Sequence, residues 1–157
     1  MQLEKIFEQL EIPYHVVYHE PIYTAADAKK LKEQIAGIGC KNLFLTNTKR
    51  TIFLLVMIAD WQQADLKEIA KFVGSTRLSF AKKEDMIHLL GVNPGSVSPL
   101  TLINDEDKKV DVLIDSELIG KKLLVHPNDN CQTLAISYDH LIKFIAASGH
   151  SASLITI

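Results

Sequence analysis

The chain has 157 residues, of which 47% are hydrophobic and 23% charged, and its formal net charge is −2. This balance is typical of an ordinary globular domain, and it argues against a protein that coats nucleic acid nonspecifically, while remaining compatible with one local basic patch. The two cysteines, Cys40 and Cys131, form no C-x-x-C pair and are too few for a disulfide scaffold, so we expect reduced thiols.

The N-terminal residues mix charged and apolar side chains, unlike a signal peptide. The most apolar segment, Ile52 to Ala59, is far shorter than the roughly 20 residues that a membrane-spanning helix needs. We therefore expect a cytoplasmic protein with no membrane partner, and one domain over residues 1–157.

The first elements along the chain are a helix, a strand and a second helix. Apolar residues at helical spacing predict a helix up to about Leu10, which Pro13 ends. Tyr14 to His19 is rich in β-branched and aromatic residues and predicts a strand. A capping-box pattern from Thr24 to Asp27 predicts a helix through about Gln34.

A β-hairpin follows. Lys41 to Thr46 and Thr51 to Ile58 are strand-like runs joined by four polar residues. The second run is apolar on both faces, which predicts a central, covered strand. Asp60 or Asp65 then begins a helix that Gly74 ends.

The second half of the chain alternates short strands with helices. The predicted elements are a strand at Leu78 to Ala81, a helix at Lys82 to Leu90 ended by Gly91, strands near Val110 to Ile114, Lys122 to Val125 and Thr133 to Ser137, a helix from Ser137 to about Ala147, and a closing strand within Ser151 to Ile157. This irregular order predicts an α/β (α+β) fold: one mixed sheet packed by helices.

The most unusual segment runs from Gly91 to Pro99. Two glycines and two prolines within nine residues fix the shape of this loop and leave backbone N–H groups free near Gly95 and Ser96. Such amides can hold a carbonyl oxygen as it becomes an oxyanion. The alternative is a turn that only connects two elements. The segment matches neither a phosphate-binding P-loop nor a nucleophile elbow.

Two further positions carry polar groups suited to a ligand. His126, Asn130 and Thr133 follow a predicted strand and can orient a small polar molecule, although an Asx-rich turn with a solvated histidine explains them equally well. Lys41 follows a glycine-containing bend at the start of an apolar strand, where it can project a positive charge into a cleft or simply be solvated.

Metal ligation finds no support. His15 and His19 are four residues apart, but on a strand that spacing separates them by about 13 Å. The other histidines considered, His88, His140 and His150, lie in unrelated, surface-like contexts. We expect no metal and no cofactor.

Asn104 to Lys109 is expected to form a solvated turn. Eight cations are candidates for a basic rim or for ordinary surface: Lys29, Lys30, Lys32, Lys49, Arg50, Arg77, Lys82 and Lys83.

Three of these segments together resemble a known family. Lys41 to Leu45, Gly91 to Pro99, and His126 to Asn130 with Thr133 are similar to the signature blocks of the YbaK/prolyl-tRNA-synthetase-associated editing domains. The resemblance covers nearly the whole chain in the same order. The Pro-Gly-Ser-Val-Ser-Pro stretch favours the freestanding branch that deacylates alanyl-tRNA(Pro) over the branch that removes cysteine.

The resemblance implies a compact mixed α/β fold with a curved sheet around a small cleft, and metal-independent hydrolysis of an aminoacyl ester. It implies that Lys41 is the key lysine, that the loop around Gly95 and Ser96 binds the carbonyl, and that His126 lies in the pocket. The positions that we assign to substrate binding are Asn42, Val97, Ser98, His126, Asn130 and Thr133. The implied partner is the acceptor end of tRNA(Pro) carrying a small amino acid, with prolyl-tRNA synthetase as a second candidate partner.

These assignments require the Lys41 amine to face the Gly91 to Pro99 loop across a small hollow. We expect Leu43, Val97 or Leu100 to supply the bulk that excludes proline. Two alternatives stay open: a deacylase for another misacylated tRNA, carrying cysteine or serine, and a non-catalytic module that senses aminoacyl-tRNA or a free amino acid.

Overall fold

The computed structural model describes residues 2–20, 26–27, 29–30, 35–125 and 131–157. Its helices are α1 (Gln2–Gln9), α2 (Leu66–Val73), α3 (Lys83–Asp85, continued by a π-helical turn at Met86–Leu90) and α4 (Tyr138–Ala147), with 3-10 helices at Pro99–Asn104 and Ser116–Leu118. Its strands are β1 (His15–Tyr18), β2 (Ile38–Asn47), β3 (Phe53–Ala59), β4 (Leu78–Phe80), β5 (Val110–Asp115), β6 (Lys122–Val125), β7 (Gln132–Ser137) and β8 (Ala152–Ile155). No helix in these ranges is long and apolar enough to cross a membrane.

The strands form one mixed sheet in the order β1-β7-β6-β2-β3-β5-β8, with β4 added beside β2. The β6–β2, β3–β5 and β5–β8 pairs are parallel, and the other pairs are antiparallel. The predicted mixed sheet packed by helices is confirmed.

The sheet is divided beside β2. One edge of β2 pairs with β3 from Cys40 to Thr46. The other edge pairs with β6 only at Ile38 and Gly39, and with β4 only from Leu45 to Asn47. Between these contacts no described strand pairs with this edge, although the Ala81 N–H donates to the Phe44 carbonyl. The sheet therefore has an opening next to residues 40–44.

Alternate residues of the hairpin enter two separate cores. Phe44, Leu55 and Met57 belong to the larger core, which also contains apolar residues of α1 and α4. Leu45 and Leu54 belong to the smaller core, which is covered by α2. Since β3 is buried on both faces, the prediction of a central, covered strand is confirmed.

Local signals place the helix ends as the sequence predicts. The Asp65 carboxylate accepts hydrogen bonds from the first turn of α2, so Asp65 rather than Asp60 begins this helix. Gly74 ends α2 and Gly91 ends the turn after α3, both in the left-handed conformation. The helix predicted from Thr24 to Gln34 falls largely outside the described residues.

In the second half of the chain, one expectation is confirmed in part and another is wrong. Asn104 to Lys109 is an exposed turn except at Asp105, whose buried carboxylate accepts the Lys109 and Val110 N–H groups. His150 is not at the surface: it is 8% exposed, and its Nε2 lies 2.8 Å from Asp105 Oδ2. The buried Asp105 carboxylate accepts hydrogen bonds from its own loop and from His150 near the C-terminus, and sequence spacing does not reveal the second of these contacts.

Candidate functional site

A recess of about 240 Å³ opens where the sheet is divided beside β2. Its lining residues come from β2, from the β4–α3 region and from the glycine- and proline-rich loop: Cys40, Asn42, Phe44, Phe80, Met86, Pro94, Gly95 and Val97. This volume is slightly below that of ordinary small-molecule sites, about 300–1,000 Å³. Two of the three expected segments, those around Asn42 and Gly95, therefore meet in space.

The loop owes its shape to a tight turn. The Ser96 N–H donates to the Asn93 carbonyl at 3.1 Å, and Gly95 has a φ of 95°. Proline at the second position and glycine with positive φ at the third are the signature of a type II turn. A Cβ on Gly95 would meet no atom within 4 Å, so the backbone conformation, not the available space, requires glycine here.

The turn decides which amides can serve a ligand. Because the Ser96 N–H is donated to Asn93, it is not available as an oxyanion donor, and the expectation for that group is corrected. The Gly95 and Val97 N–H groups make no hydrogen bond to any described residue. Ser98 is buried, and its hydroxyl accepts the Leu100 N–H at 3.2 Å, so it caps the 3-10 helix and does not line the recess.

Asn42 contributes the polar side chain of the recess. On β2 it lies on the same face as Cys40 and Phe44, as strand alternation requires. Its Oδ1 is buried and has no hydrogen-bond partner in the described part of the chain. A buried amide oxygen without a partner is costly, so this atom is available to accept a hydrogen bond from a molecule in the recess.

Lys41 occupies the opposite face of β2. The unbroken register from Cys40 to Thr46 excludes a bulge, so neighbouring side chains alternate. The Lys41 Nζ donates to the Gln62 carbonyl at 2.7 Å. The Gln62 side chain accepts the Ala59 N–H at 2.8 Å and donates to the Asp115 carboxylate at 2.9 Å. The expected facing of the Lys41 amine toward the Gly95 loop is therefore corrected: Asn42 faces the recess in its place.

Cys40 is the one sulfhydryl in the lining. Burial raises the pKa of its thiol to about 12, the nearby charge of Asp60 adds to the rise, and a hydrogen bond from the Leu124 backbone partly opposes it. The thiol is protonated at neutral pH, so Cys40 supplies apolar surface and not a nucleophile. Among the described residues, no three His, Cys, Asp or Glu side chains meet in a group that could hold a metal ion.

The third expected segment lies only partly within the described residues. His126 and Asn130 lie outside the described residues. Thr133 is buried on β7, and its Oγ1 lies 2.8 Å from Nε2 of His19, which follows β1. Thr133 does not line the recess. Sequence reasoning weighed His19 only as a metal ligand and missed Phe80 and Met86, for which no sequence signal exists beyond their apolar character.

Known proteins resemble this chain in sequence. The family model described as aminoacyl-tRNA editing domain matches residues 19–144. The prolyl-tRNA editing protein ProX of Acetoanaerobium sticklandii is 36% identical over 151 residues, which are 96% of this chain and 92% of that protein. The mouse (Mus musculus) prolyl-tRNA synthetase associated domain-containing protein 1 is 31% identical over 154 residues, which are 95% of this chain and 90% of that protein.

Solved structures share the fold. A crystal structure of a hypothetical protein superposes with a TM-score of 0.75 at 16% identity, covering 97% of each chain. The crystal structure of a candidate trans-editing enzyme for prolyl-tRNA synthetase superposes with a TM-score of 0.73 at 17% identity, covering 99% of this chain and 95% of that one. At these identities the likeness establishes the fold alone.

Proposed function

The chain belongs to the aminoacyl-tRNA editing domain family, and from this premise we propose that it hydrolyses the ester joining alanine to the 3′-terminal adenosine of mischarged tRNA(Pro). The names of the relatives, a prolyl-tRNA editing protein and a prolyl-tRNA synthetase associated protein, support this substrate class. The observation that carries the proposal is that one small hollow is lined by Asn42, whose Oδ1 has no partner among the described residues, and by Gly95 and Val97, whose N–H groups make no hydrogen bond to them.

These groups complement an aminoacyl ester. The amides of Gly95 and Val97 are donors and suit the carbonyl oxygen, on which negative charge develops during attack by water. The Asn42 Oδ1 is an acceptor and suits the α-ammonium group or the ribose 2′-hydroxyl. Water adds to the carbonyl carbon, the bond to the 3′-oxygen breaks, and free alanine and deacylated tRNA leave. Loss of one oxyanion donor typically costs about 3 kcal/mol of transition-state stabilisation.

The Lys41 amine does not meet the requirement stated from the sequence, because at rest it binds the Gln62 carbonyl on the other face of β2, so we propose for Lys41 only the role of a phosphate- or ribose-binding cation. Its side chain is exposed, and the pairing of β6 with β2 ends at Gly39, two residues before Lys41. On substrate binding the amine exchanges the Gln62 carbonyl for a substrate oxygen. An exposed lysine reorients at little cost, so this exchange is compatible with its resting hydrogen bond.

His126 and Asn130 remain candidates for orienting the aminoacyl group. In the parallel β6–β2 pair, Leu124 lies opposite Gly39, so Val125 ends β6 near the level of Cys40. His126 follows directly in sequence. Thr133, hydrogen-bonded to His19, supports this end of the sheet and is proposed to act through its neighbours, without contacting the substrate.

Selectivity follows from the size of the recess. Of the three residues expected to exclude proline, Val97 lines it, Leu43 packs with the core under α2, and Leu100 is fully buried. We assign the exclusion of proline to Val97. A synthetase cannot strongly reject a smaller amino acid, since lost apolar contact is worth about 1–3 kcal/mol, and a second, smaller pocket corrects the error.

The Val97→Ala variant tests this assignment. We expect its kcat/KM for prolyl-tRNA(Pro) to rise relative to that for alanyl-tRNA(Pro) by about tenfold, because the removed methyl groups open the recess. A ratio equal to that of the wild type would show that another residue sets the size limit.

The function itself is tested with a panel of tRNA(Pro) charged with alanine, cysteine, serine or proline. We expect multiple-turnover deacylation of the alanyl ester and at least tenfold slower hydrolysis of the others. Preferred hydrolysis of the cysteinyl or seryl ester would show that the enzyme acts on that substrate instead. Tight binding of charged tRNA without turnover would show that the protein is a sensor and not an enzyme.

A further inference from the structure

Two more hollows lie along β4, and the second of them adjoins the recess. The first, of about 800 Å³, lies between α2 and the start of β4 and carries Lys67, Lys71 and Arg77. The second, of about 310 Å³, carries Arg77, Lys82 and Phe80. Arg77 lines both, and Phe80 lines the second hollow as well as the recess. The shared lining residues therefore place the three hollows side by side, from α2 to the recess. We call the part of these hollows carrying Lys67, Lys71, Arg77 and Lys82 the basic groove.

Charge distinguishes this groove from the rest of the chain. The two hollows are lined by five cations, the four of the basic groove and Arg50, and by one acid, Asp85, which pairs with Arg50. Lys71 makes an exposed contact of 3.7 Å with Glu68, whereas Lys67, Arg77 and Lys82 make no salt bridge to any described residue. Since the whole chain has 19 acidic and 17 basic residues, this local excess of cations indicates an anionic occupant.

A polar group on the wall of the groove also lacks a partner. The Ser75 Oγ is buried, lines the first hollow and has no hydrogen-bond partner among the described residues. A hydroxyl can donate to a phosphate oxygen, and the guanidinium of Arg77, which lines the same hollow, can bind phosphate with two hydrogen bonds. The apolar floor of Leu66, Ala70 and Leu78 can accommodate a sugar. Together these features suit a phosphodiester backbone.

Phe80 marks the end of the groove at the recess. It lies on the edge strand β4, and 61% of its surface is exposed. Exposed aromatic rings beside a basic groove are the usual platforms on which unpaired bases stack. Three strand residues from Phe80 to Arg77 span about 10 Å, so the phosphate-binding cations begin about one short strand away from the recess.

We propose that the basic groove binds the backbone phosphates of the tRNA acceptor stem, while Phe80 stacks on the terminal base at the entrance of the recess. This inference rests on the proposed function, which sets an aminoacylated 3′ end in the recess. It adds the route by which the stem leaves that site, along β4 toward α2.

The test compares two triple variants of the full chain. The first replaces Lys67, Lys71 and Arg77 with alanine. The control replaces Lys5, Lys109 and Lys122, three exposed lysines outside the basic groove, with alanine, and so makes the same change in net charge. Each variant is assayed on alanyl-tRNA(Pro) and on 3′-O-alanyl-adenosine, which has no stem phosphates. Binding of an uncharged acceptor-stem minihelix is measured at several salt concentrations.

On the tRNA, kcat/KM of the groove variant should fall about tenfold or more beyond any loss on alanyl-adenosine. The slope of log binding constant against log salt concentration for the minihelix should become shallower by about 2. The control should match the wild type. Phe80→Ala should lower kcat/KM on both substrates by about tenfold, because both substrates carry the terminal base.

An unchanged kcat/KM on tRNA and an unchanged salt slope in the groove variant would overturn this inference and leave the proposed function standing. A wild-type protein that hydrolyses neither substrate would overturn the proposed function, and minihelix binding would then test the groove alone. Loss of binding to prolyl-tRNA synthetase, with tRNA binding intact, would assign the groove to a protein partner and overturn the inference.

Discussion

Neighbouring residues of β2 have different surroundings because a strand alternates its side chains. Asn42 turns toward the recess with an unpartnered oxygen, and Lys41 turns away to the Gln62 carbonyl. The two residues are neighbours in sequence, but their side chains lie on opposite faces of β2. Asn42 belongs to the recess at rest, whereas Lys41 has to change its hydrogen-bond partner to reach a substrate.

Lys41→Ala measures the value of that change. We expect kcat/KM on alanyl-tRNA(Pro) to fall at least tenfold, since a charged hydrogen bond is worth about 1.5–3 kcal/mol. The free energy of unfolding should change by less than about 0.5 kcal/mol, because the side chain is exposed. Lys49→Ala, in the exposed hairpin turn, is the matched control. Wild-type turnover by Lys41→Ala would remove this lysine from the mechanism.

At the scale of elements, the type II turn of the loop presents its amides only while Gly95 keeps a positive φ. Alanine at Gly95 should cost about 1–2 kcal/mol of stability through backbone strain and lower the single-turnover rate about tenfold by moving the amides. Gly120→Ala is the matched control, because Gly120 also has positive φ and space for a Cβ but lies outside the recess. Equal deacylation rates in the two variants would show that the loop amides do not contribute to catalysis.

The elements were largely predictable because their signals are local. Asp65, Gly74 and Gly91 mark helix ends, and the apolar run from Ile52 to Ala59 predicts a strand covered on both faces. The 3-10 helix at Pro99–Asn104 was not predicted, because it depends on the buried cap of Ser98.

The site was less predictable because its geometry depends on tertiary pairing. The Gly91 to Pro99 loop was identified from composition, and the structure brings it beside Asn42. Which face of β2 meets the loop follows from the register with β3, and that register is not readable from sequence. The role expected of Lys41 changed for this reason, whereas the role expected of the Ser96 amide changed because the local type II turn donates it to the Asn93 carbonyl. Phe80 joined the lining only because β4 pairs beside the opening.

At the scale of the whole molecule, a buried pair ties the C-terminal segment to the turn before β5. The His150 Nε2 lies 2.8 Å from Asp105 Oδ2, and the His150 Nδ1 lies 3.1 Å from the Ser148 carbonyl oxygen. Neither side chain lines the recess. The pair therefore contributes to the stability of the fold and not to the chemistry.

His150→Ala should lower the free energy of unfolding by about 2 kcal/mol, because the buried Asp105 loses a donor, and the Tm by about 6 °C for a chain of this size. The fully folded variant should retain wild-type deacylation. His150→Gln should recover part of the loss through its side-chain amide, and His88→Ala, at an exposed position, should have little effect. Equal unfolding energies for His150→Ala and His88→Ala would disprove the role of the pair.

The most direct test of the account is the single-turnover deacylation rate of Asn42→Ala on alanyl-tRNA(Pro), measured together with its thermal unfolding. Removing an unpartnered buried oxygen should leave the Tm unchanged or raise it, while the loss of a substrate-binding acceptor should slow deacylation at least tenfold. Wild-type deacylation by a fully folded Asn42→Ala protein would contradict the assignment of ester cleavage to this recess.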